Sequence, residues 1–356
     1  VTVTHPKIRR AAFAACAVVL SAACRDAAHS SATGGKGPRV GVVLSTGGRG
    51  DKGFNDAAVA GAGRAAAALG ADTAVADVQR EDATLPGITR FAEEGRDLVV
   101  GVSFMASQPT FQVAKDHPAG KFAVLDYAPV TDEQGRALPL PPNMAGITYR
   151  AEEGAYLAGA LAGLKTATRK VGFVGGMYSP IVREFEAGYT AGVRAVCSDC
   201  VVLVDYAGTS PAAFNQPERG LALALAQYGA GADVIFHASG GTGKGVFQAA
   251  QQANRWVIGV DVDQSAEAPG RVLTSVTKKL DVSLYGLVEQ VRSGRFHGGL
   301  LSQGLSDGAV GYVYDARNRP LIPDSVYFRV ETLRQAIVAG LVKVPKVPAD
   351  ARMSRR

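Results

Sequence analysis

The residues of this chain that could do chemistry are a glycine-rich loop, a Cys-x-x-Cys pair and a scatter of carboxylates, amides and aromatics, and spacing tests each of them. Residues 240–245, Gly-Gly-Thr-Gly-Lys-Gly, suggest a phosphate loop, because glycine amides at a helix start bind phosphate. A Walker loop needs a Gly five residues before the Gly of its Gly-Lys pair and a Ser or Thr after the Lys; Ala238 and Gly245 stand there instead. Residues 61–66, Gly-x-Gly-x-x-Ala, fall inside a helical stretch and not after a strand, so they are no dinucleotide fingerprint. The Gly-x-Ser-x-Gly string at 304–308 leads into a strand-like segment with no later histidine, which breaks the hydrolase order. No His-Glu-x-x-His occurs, the 5 histidines form no cluster, and His237 reads as a packed strand-end residue, so no metal or cofactor is expected. Cys197 and Cys200 have no second ligand pair at zinc spacing and lie between a helix and a strand, which favours a small local disulfide over zinc or redox catalysis.

The remaining polar residues gain meaning from the elements that hold them. From Arg39 onward, short apolar strands alternate with helical stretches, the pattern of a parallel sheet with helices on both faces. The order restarts near 143–148, and the last strands are too few for a third domain, so they cross back to complete both halves. The expected fold is α/β: two doubly wound three-layer lobes, residues 39–147 plus 275–302 and residues 148–274 plus 303–345, followed by a basic tail at 346–356. Ligands of such sheets bind beyond the carboxyl ends of the strands, so two facing lobes make one cleft. Ser45, Asp126, Gly241 and Asp261 stand at or just after strand ends, and Phe54, Asn55 and Phe214 at the helix starts that follow.

Composition narrows the class. A chain of 356 residues with 47% hydrophobic and 20% charged residues can bury a sizeable core. Lys+Arg exceed Asp+Glu by 38 to 32, and much of the excess sits at the two ends, so nucleic acid is not an expected partner. A transcription regulator of this architecture would open with a helix-turn-helix. This chain opens instead with His5, Lys7, Arg9 and Arg10, an apolar stretch at 11–20, and Leu-Ser-Ala-Ala-Cys at 20–24, the layout of a secretory signal. The expectation is a signal peptide at 1–23, lipidation of Cys24 as in a bacterial lipobox, and a flexible tether at 24–38. Ordinary cleavage after Ala23 is the alternative.

Seven strings are long and specific enough to carry a resemblance. They are Gly-Asp-Lys-Gly-Phe-Asn at 50–55, Glu-Glu-Gly-Ala-Tyr-Leu-Ala-Gly at 152–159, Val-Gly-Phe-Val-Gly-Gly-Met at 171–177 and Phe-Glu-Ala-Gly-Tyr at 185–189. Ala-Asp-Val-Ile-Phe-His-Ala-Ser-Gly-Gly-Thr-Gly at 232–243, Trp-Val-Ile-Gly-Val-Asp-Val-Asp-Gln at 256–264 and Val-Leu-Thr-Ser-Val at 272–276 join them. Together they resemble the basic membrane protein family of nucleoside-binding lipoproteins that serve ABC importers. The resemblance runs from about 40 to about 344 and implies the type I periplasmic binding fold, with a three-strand hinge.

It also implies a site. Phe54 and Phe214 would sandwich a flat base, and Asn55 would pair with its edge, although two core phenylalanines and a helix cap are the plain alternatives. Asp261 and Lys278 match family positions that bind ribose, with Asp263 and Lys279 as neighbours able to take their place. Asp126 matches a position near the base or else caps a turn. Gly241 would bring backbone close to the ligand. Where relatives carry an Asp that recognises the base, this chain has Ser45, shorter and uncharged, which puts purine selectivity in doubt. The implied protein is a monomeric, non-enzymatic, extracytoplasmic lipoprotein of the bacterial cell envelope, partnered by an ABC permease. A ligand sensor of the same fold and a nucleoside hydrolase are the alternatives.

Overall fold

The computed structural model describes residues 1, 37–78 and 80–348. Cys24 and the expected signal, tether and most of the basic tail lie outside the described residues. The first half of the chain runs β1 (Arg39–Val43), α1 (Phe54–Leu69), β2 (Asp72–Ala76), α2 (Thr84–Glu93), β3 (Leu98–Val102), α3 (Ser107–Asp116), β4 (Phe122–Leu125) and β5 (Met144–Tyr149). The pattern then repeats as α4 (Ala151–Lys165), β6 (Lys170–Met177), α5 (Pro180–Val196), β7 (Val201–Gly208), α6 (Pro217–Gly229), β8 (Val234–Ala238), α7 (Gly243–Gln252) and β9 (Trp256–Asp261). The last elements are β10 (Val272–Lys278), α8 (Leu280–Arg292), β11 (Gly299–Gln303), β12 (Val310–Tyr312) and α9 (Asp324–Val338).

These strands form two sheets, ordered β11-β5-β4-β3-β1-β2 and β12-β10-β9-β8-β6-β7. All pairs are parallel except β10 with β12. Parallel strands covered on both faces must be apolar throughout, and the fully buried Leu98–Val102 and Val234–Ala238 are. Apolar clusters lie on either face of each sheet: α1 and α8 cover one face of the first and α2 and α3 the other, while α4, α5 and α9 face α6 and α7 across the second. The fold is therefore the expected pair of three-layer lobes.

The chain crosses between lobes after Tyr149, after Lys278 and after Gln303. Each crossing falls a little later than the periodicity suggested. β5 stays whole in the first sheet, and β10, including residues 275–278, stays whole in the second, because strand pairing continues to the last residue that finds a neighbour. Arg150 ties two of the crossings. Its amide donates to the Gln303 carbonyl (2.7 Å), and its guanidinium donates to Glu153 (2.7 Å), the Ser302 carbonyl (3.2 Å), Ser306 (2.9 Å) and Asp307 (3.2 Å). The Gly-x-Ser-x-Gly string of 304–308 thus belongs to the hinge. Cys197 and Cys200 are joined by a disulfide between α5 and β7, with a Cα–Cα distance of 5.4 Å.

Candidate functional site

Both sheets aim the carboxyl ends of their strands at the space between the lobes. In each sheet the helices switch face beside the first strand of its lobe, between β1 and β3 and between β6 and β8, which opens a crevice there. The two crevices meet in one cavity, partly open to solvent at its mouth. Ser45, Phe54, Asn55, Asp126, Phe214, Gly241, Asp261 and Lys278 all line it. Asp263 does not: it pairs with Arg317. Lys279 is exposed on the hinge, also outside the lining.

Local backbone geometry explains why the strand ends reach inward. Ser103, Asp126 and Asp261 follow or end β3, β4 and β9 with φ of 92°, 68° and 67°. Left-handed backbone at a non-glycine residue is costly and collects at functional sites.

The first lobe's wall is built on the start of α1. Asp51, and not Asn55, caps that helix: its carboxylate accepts from the amides of Gly53 (2.9 Å), Asn55 (2.8 Å) and Asp56 (3.2 Å) and from the Asn55 side chain (3.0 Å). Burial nonetheless raises its pKa above the usual carboxylate value, the backbone hydrogen bonds opposing. Asn55 Oδ1 in turn accepts from the amide (2.9 Å) and hydroxyl (3.1 Å) of Ser45. Phe54, the first residue of the helix, is left facing the cavity.

Across the cavity, Phe214 ends a 3-10 turn, Pro211–Phe214, where the sequence suggested a helix start. Its ring lies on Gly176, where a Cβ would come within 2.5 Å of it. Thr242 holds that turn against the glycine loop, donating to the Ala213 carbonyl (2.8 Å) and accepting from the Gln216 amide (2.7 Å).

The floor carries the charges. Lys278, 3% exposed, donates to both oxygens of Asp126 (3.1 and 3.0 Å), so an ion pair joins the last residue of β10 to the end of β4. Asp126 is therefore not a turn cap. The ammonium also sits 5.4 Å from the Phe54 ring centre and 5.0 Å from that of Phe185. Asp261, 8% exposed, accepts no side-chain hydrogen bond from the described residues. Burial pushes its pKa up to about 7; Lys278 pulls it down, and Asp51 and Asp126 add to the rise. His237 is packed against Phe247 inside β8, where burial pushes its pKa down to about 4.

Residues 39–347 match the family described as ABC transporter substrate-binding protein PnrA-like. The chain belongs to that family. It is 33% identical over 315 residues to basic membrane protein A of Borreliella afzelii, covering 86% of this chain and 91% of that one. With the ABC transporter nucleoside-binding protein BmpA of Lactococcus lactis subsp. cremoris it shares 32% over 271 residues, 71% of this chain and 72% of the relative. An ABC transporter solute-binding protein of Aeropyrum pernix K1 superposes with a TM-score of 0.78 at 28% identity, covering 89% and 96% of the two chains. This PnrA-like chain is thus a substrate-binding protein of the ABC transporter class.

Other walls of the PnrA-like cavity escaped the sequence reading. Ile181, Val182 and Phe185 line it from the first turns of α5. Their helical spacing reads as ordinary core, and only the turn of α5 toward the cleft distinguishes them. Asp51 gave no capping signal, because it stands two residues ahead of the N-cap position, Gly53, outside the usual capping spacing.

Proposed function

We propose that the protein captures a nucleoside between its lobes outside the cytoplasm and delivers it to an ABC permease, held at a membrane surface by lipid on Cys24. The observation that carries this is the lining of the cavity, with aromatic rings from both lobes (Phe54 and Phe104, Phe185 and Phe214) around a buried carboxylate, Asp261, to which no group among the described residues donates a hydrogen bond. Phe54 and Phe214 present faces on which a base can stack. Asp261 can accept two hydrogen bonds from a vicinal diol, which fits ribose, and Lys278 keeps one ammonium hydrogen after serving Asp126. Gly241 adds close backbone. The Lactococcus relative, named as a nucleoside-binding protein, supports the same ligand class.

The reading is of capture without turnover. Lys278 pairs with Asp126 and the Ser45 hydroxyl donates to Asn55, so neither strand-end group is paired as an activated nucleophile. Among the described residues no helix is long and apolar enough to cross a membrane. Anchoring then falls to Cys24: the full-length protein should partition into detergent from a bacterial host, and Cys24→Ser should release it. A wild-type protein wholly in the aqueous phase would end the lipid claim.

Native mass spectrometry of the purified domain tests the ligand, because tight binders often carry theirs from the host. A bound mass matching a nucleoside is expected. Calorimetry then separates the parts: Asp261→Ala should weaken ribonucleosides by about 1–3 kcal/mol and leave free bases little changed. Equal and unchanged affinities for both would refute the ribose assignment.

A further inference from the structure

Resting on the reading of the cavity as a capture site, we infer that Lys346, on the segment after α9, is a positioning residue for the ligand: by serving two carboxylates at once it holds the starts of α4 and α5 together and so fixes the wall formed by Val182 and Phe185. Lys346 itself lies outside the cavity lining. Glu152 stands on the first turn of α4, just past the hinge crossing at Arg150, and Glu184 stands near the start of α5. The Lys346 ammonium is 3.5 Å from Glu152 Oε1 and 3.4 Å from Glu184 Oε1. Val342 and Val344, earlier on the same segment, pack against the core of the second lobe, so the lysine arrives on an anchored stretch of chain.

The two acids cannot relieve their repulsion by themselves. Glu152 is 3% exposed, and its Oε2 is buried without a hydrogen-bond partner among the described residues. The helices leave no room for water to reach it: a Cβ on Gly188, one turn beyond Glu184, would fall 2.2 Å from the Glu152 carbonyl oxygen. Burial pushes the Glu152 pKa up to about 7; Glu184 adds to the rise, Lys346 opposes it, and Glu153 on the same turn adds to it. Burial raises Glu184 as well, with Lys346 and Lys278 lowering it and Asp126 raising it. Two carboxylates sharing one buried place cannot both ionise cheaply without a cation between them.

The consequence reaches the cavity through one residue. Phe185 directly follows Glu184, lines the cavity, and has its ring centre 5.0 Å from the Lys278 ammonium that pairs with Asp126. A displaced start of α5 therefore moves an aromatic wall and the neighbour of the cavity's own cation together. Below about pH 7 Glu152 is neutral and Lys346 has one charged acid to serve; above it Lys346 has two. A carboxyl whose folded pKa lies above its unfolded value weakens the fold as it ionises, so loss of its cation is felt little at low pH and most above 7.

Calorimetry with adenosine, guanosine and uridine on wild type, Lys346→Met, Lys346→Arg and the double variant Glu152→Gln/Lys346→Met, at pH 6 and pH 8.5, tests this. The ratio of variant to wild type at each pH cancels the titration of Asp261, which all four share. Lys346→Met should match wild type within about twofold at pH 6 and bind about threefold to tenfold more weakly at pH 8.5, since one pKa unit is a tenfold change in an equilibrium constant. Lys346→Arg should behave as wild type, and Glu152→Gln/Lys346→Met should recover most of the loss. Hydrogen exchange of ligand-free protein at residues 181–186 should be faster in Lys346→Met than in wild type at pH 8.5 and alike at pH 6. A loss equal at both pH values and not recovered by Glu152→Gln would mark Lys346 as packing alone and overturn the inference, as would unchanged exchange and affinity at pH 8.5. Should Lys346→Met fail to fold, folding restored by Glu152→Gln supports the shared-cation account, and a double variant that also fails overturns it. If folded wild type binds none of the three nucleosides, the ligand reading falls while exchange at 181–186 still decides the role of Lys346.

Discussion

Asp261 is the residue whose chemistry is most exposed to test. As a neutral acid it offers one proton and a poorer acceptor; as a carboxylate it can take both hydroxyls of a diol. Burial holds its pKa near 7 in the free protein, with Lys278, Asp51 and Asp126 the charges that face it. If capture requires the carboxylate, binding releases a proton below that pKa and none above it. Affinity for a ribonucleoside should then rise about tenfold per pH unit up to ~7 and level off beyond, while Asp261→Asn should flatten the profile. Calorimetry from pH 5 to 9 reads it; a wild-type profile flat across pH 7 would detach Asp261 from the ligand. The residues that line this cavity were legible to the extent that strand ends are legible. Ser45 and Asp126 follow, and Asp261 ends, short apolar runs in a strand–helix alternation, the pattern of buried parallel strands, and Phe54 and Asn55 follow the first of them. What the sequence could not show is who bonds to whom. Lys278 could be placed near a ligand by resemblance, but its ion pair with Asp126 joins residues 152 positions apart and exists only because two sheets meet.

At the scale of elements, small residues do the positioning. α4 and α5 touch at backbone level: a Cβ on Gly159 would fall 2.0 Å from the Tyr189 carbonyl oxygen, and one on Gly192 would fall 1.9 Å from that of Tyr156. α5 carries Val182 and Phe185 into the cavity, so the close approach sets how far those walls reach. Gly192→Ala must push the helices apart against rigid carbonyls, with no flexible side chain to yield. A loss of about 1–3 kcal/mol or more is expected in urea unfolding, with weakened capture of every ligand alike. Stability within experimental error of wild type would show that the helices can slide. The alternation of short apolar strands and helical stretches could be read in the sequence. Their limits could not, because crossings between lobes are set by pairing. Gly299–Gln303 is largely exposed and weakly patterned, and it becomes a strand only because β5 offers it an edge. Phe214 starts no helix: Pro211 opens a first turn, but the turn stays 3-10 and ends at the ring.

For the whole molecule the question is what holds the lobes together without a ligand. Lys278 and Asp126 pair across the sheets, yet Lys278 ends β10 at a crossing, so that bond lies close to the hinge and can survive rotation about it. Farther along, Gln264 Nε2 donates to the Lys52 carbonyl at 2.8 Å, joining the segment after β9 to the loop ahead of α1. The rest of the Gln264 side chain is anchored in its own lobe, its Oε1 accepting from the Val260 amide at 2.7 Å. Opening must break the Lys52 contact, which water can replace on both sides. A hydrogen bond of that kind is worth about 0.5–1.5 kcal/mol net, a shift of roughly two- to tenfold in an open–closed population. Gln264→Met keeps the side chain's length and removes the donor to Lys52, together with the acceptor that serves Val260 inside its own lobe. The ligand-free variant should therefore have a larger radius of gyration by small-angle scattering than ligand-free wild type, and a nucleoside should bring both to the same smaller value. Affinity should fall two- to tenfold for all nucleosides together, since the contact bears on closure and not on the base edge. A variant with the wild-type radius and wild-type affinities would mean that the lobes are held by the ligand or the hinge alone, and that the Lys52 contact contributes nothing to closure.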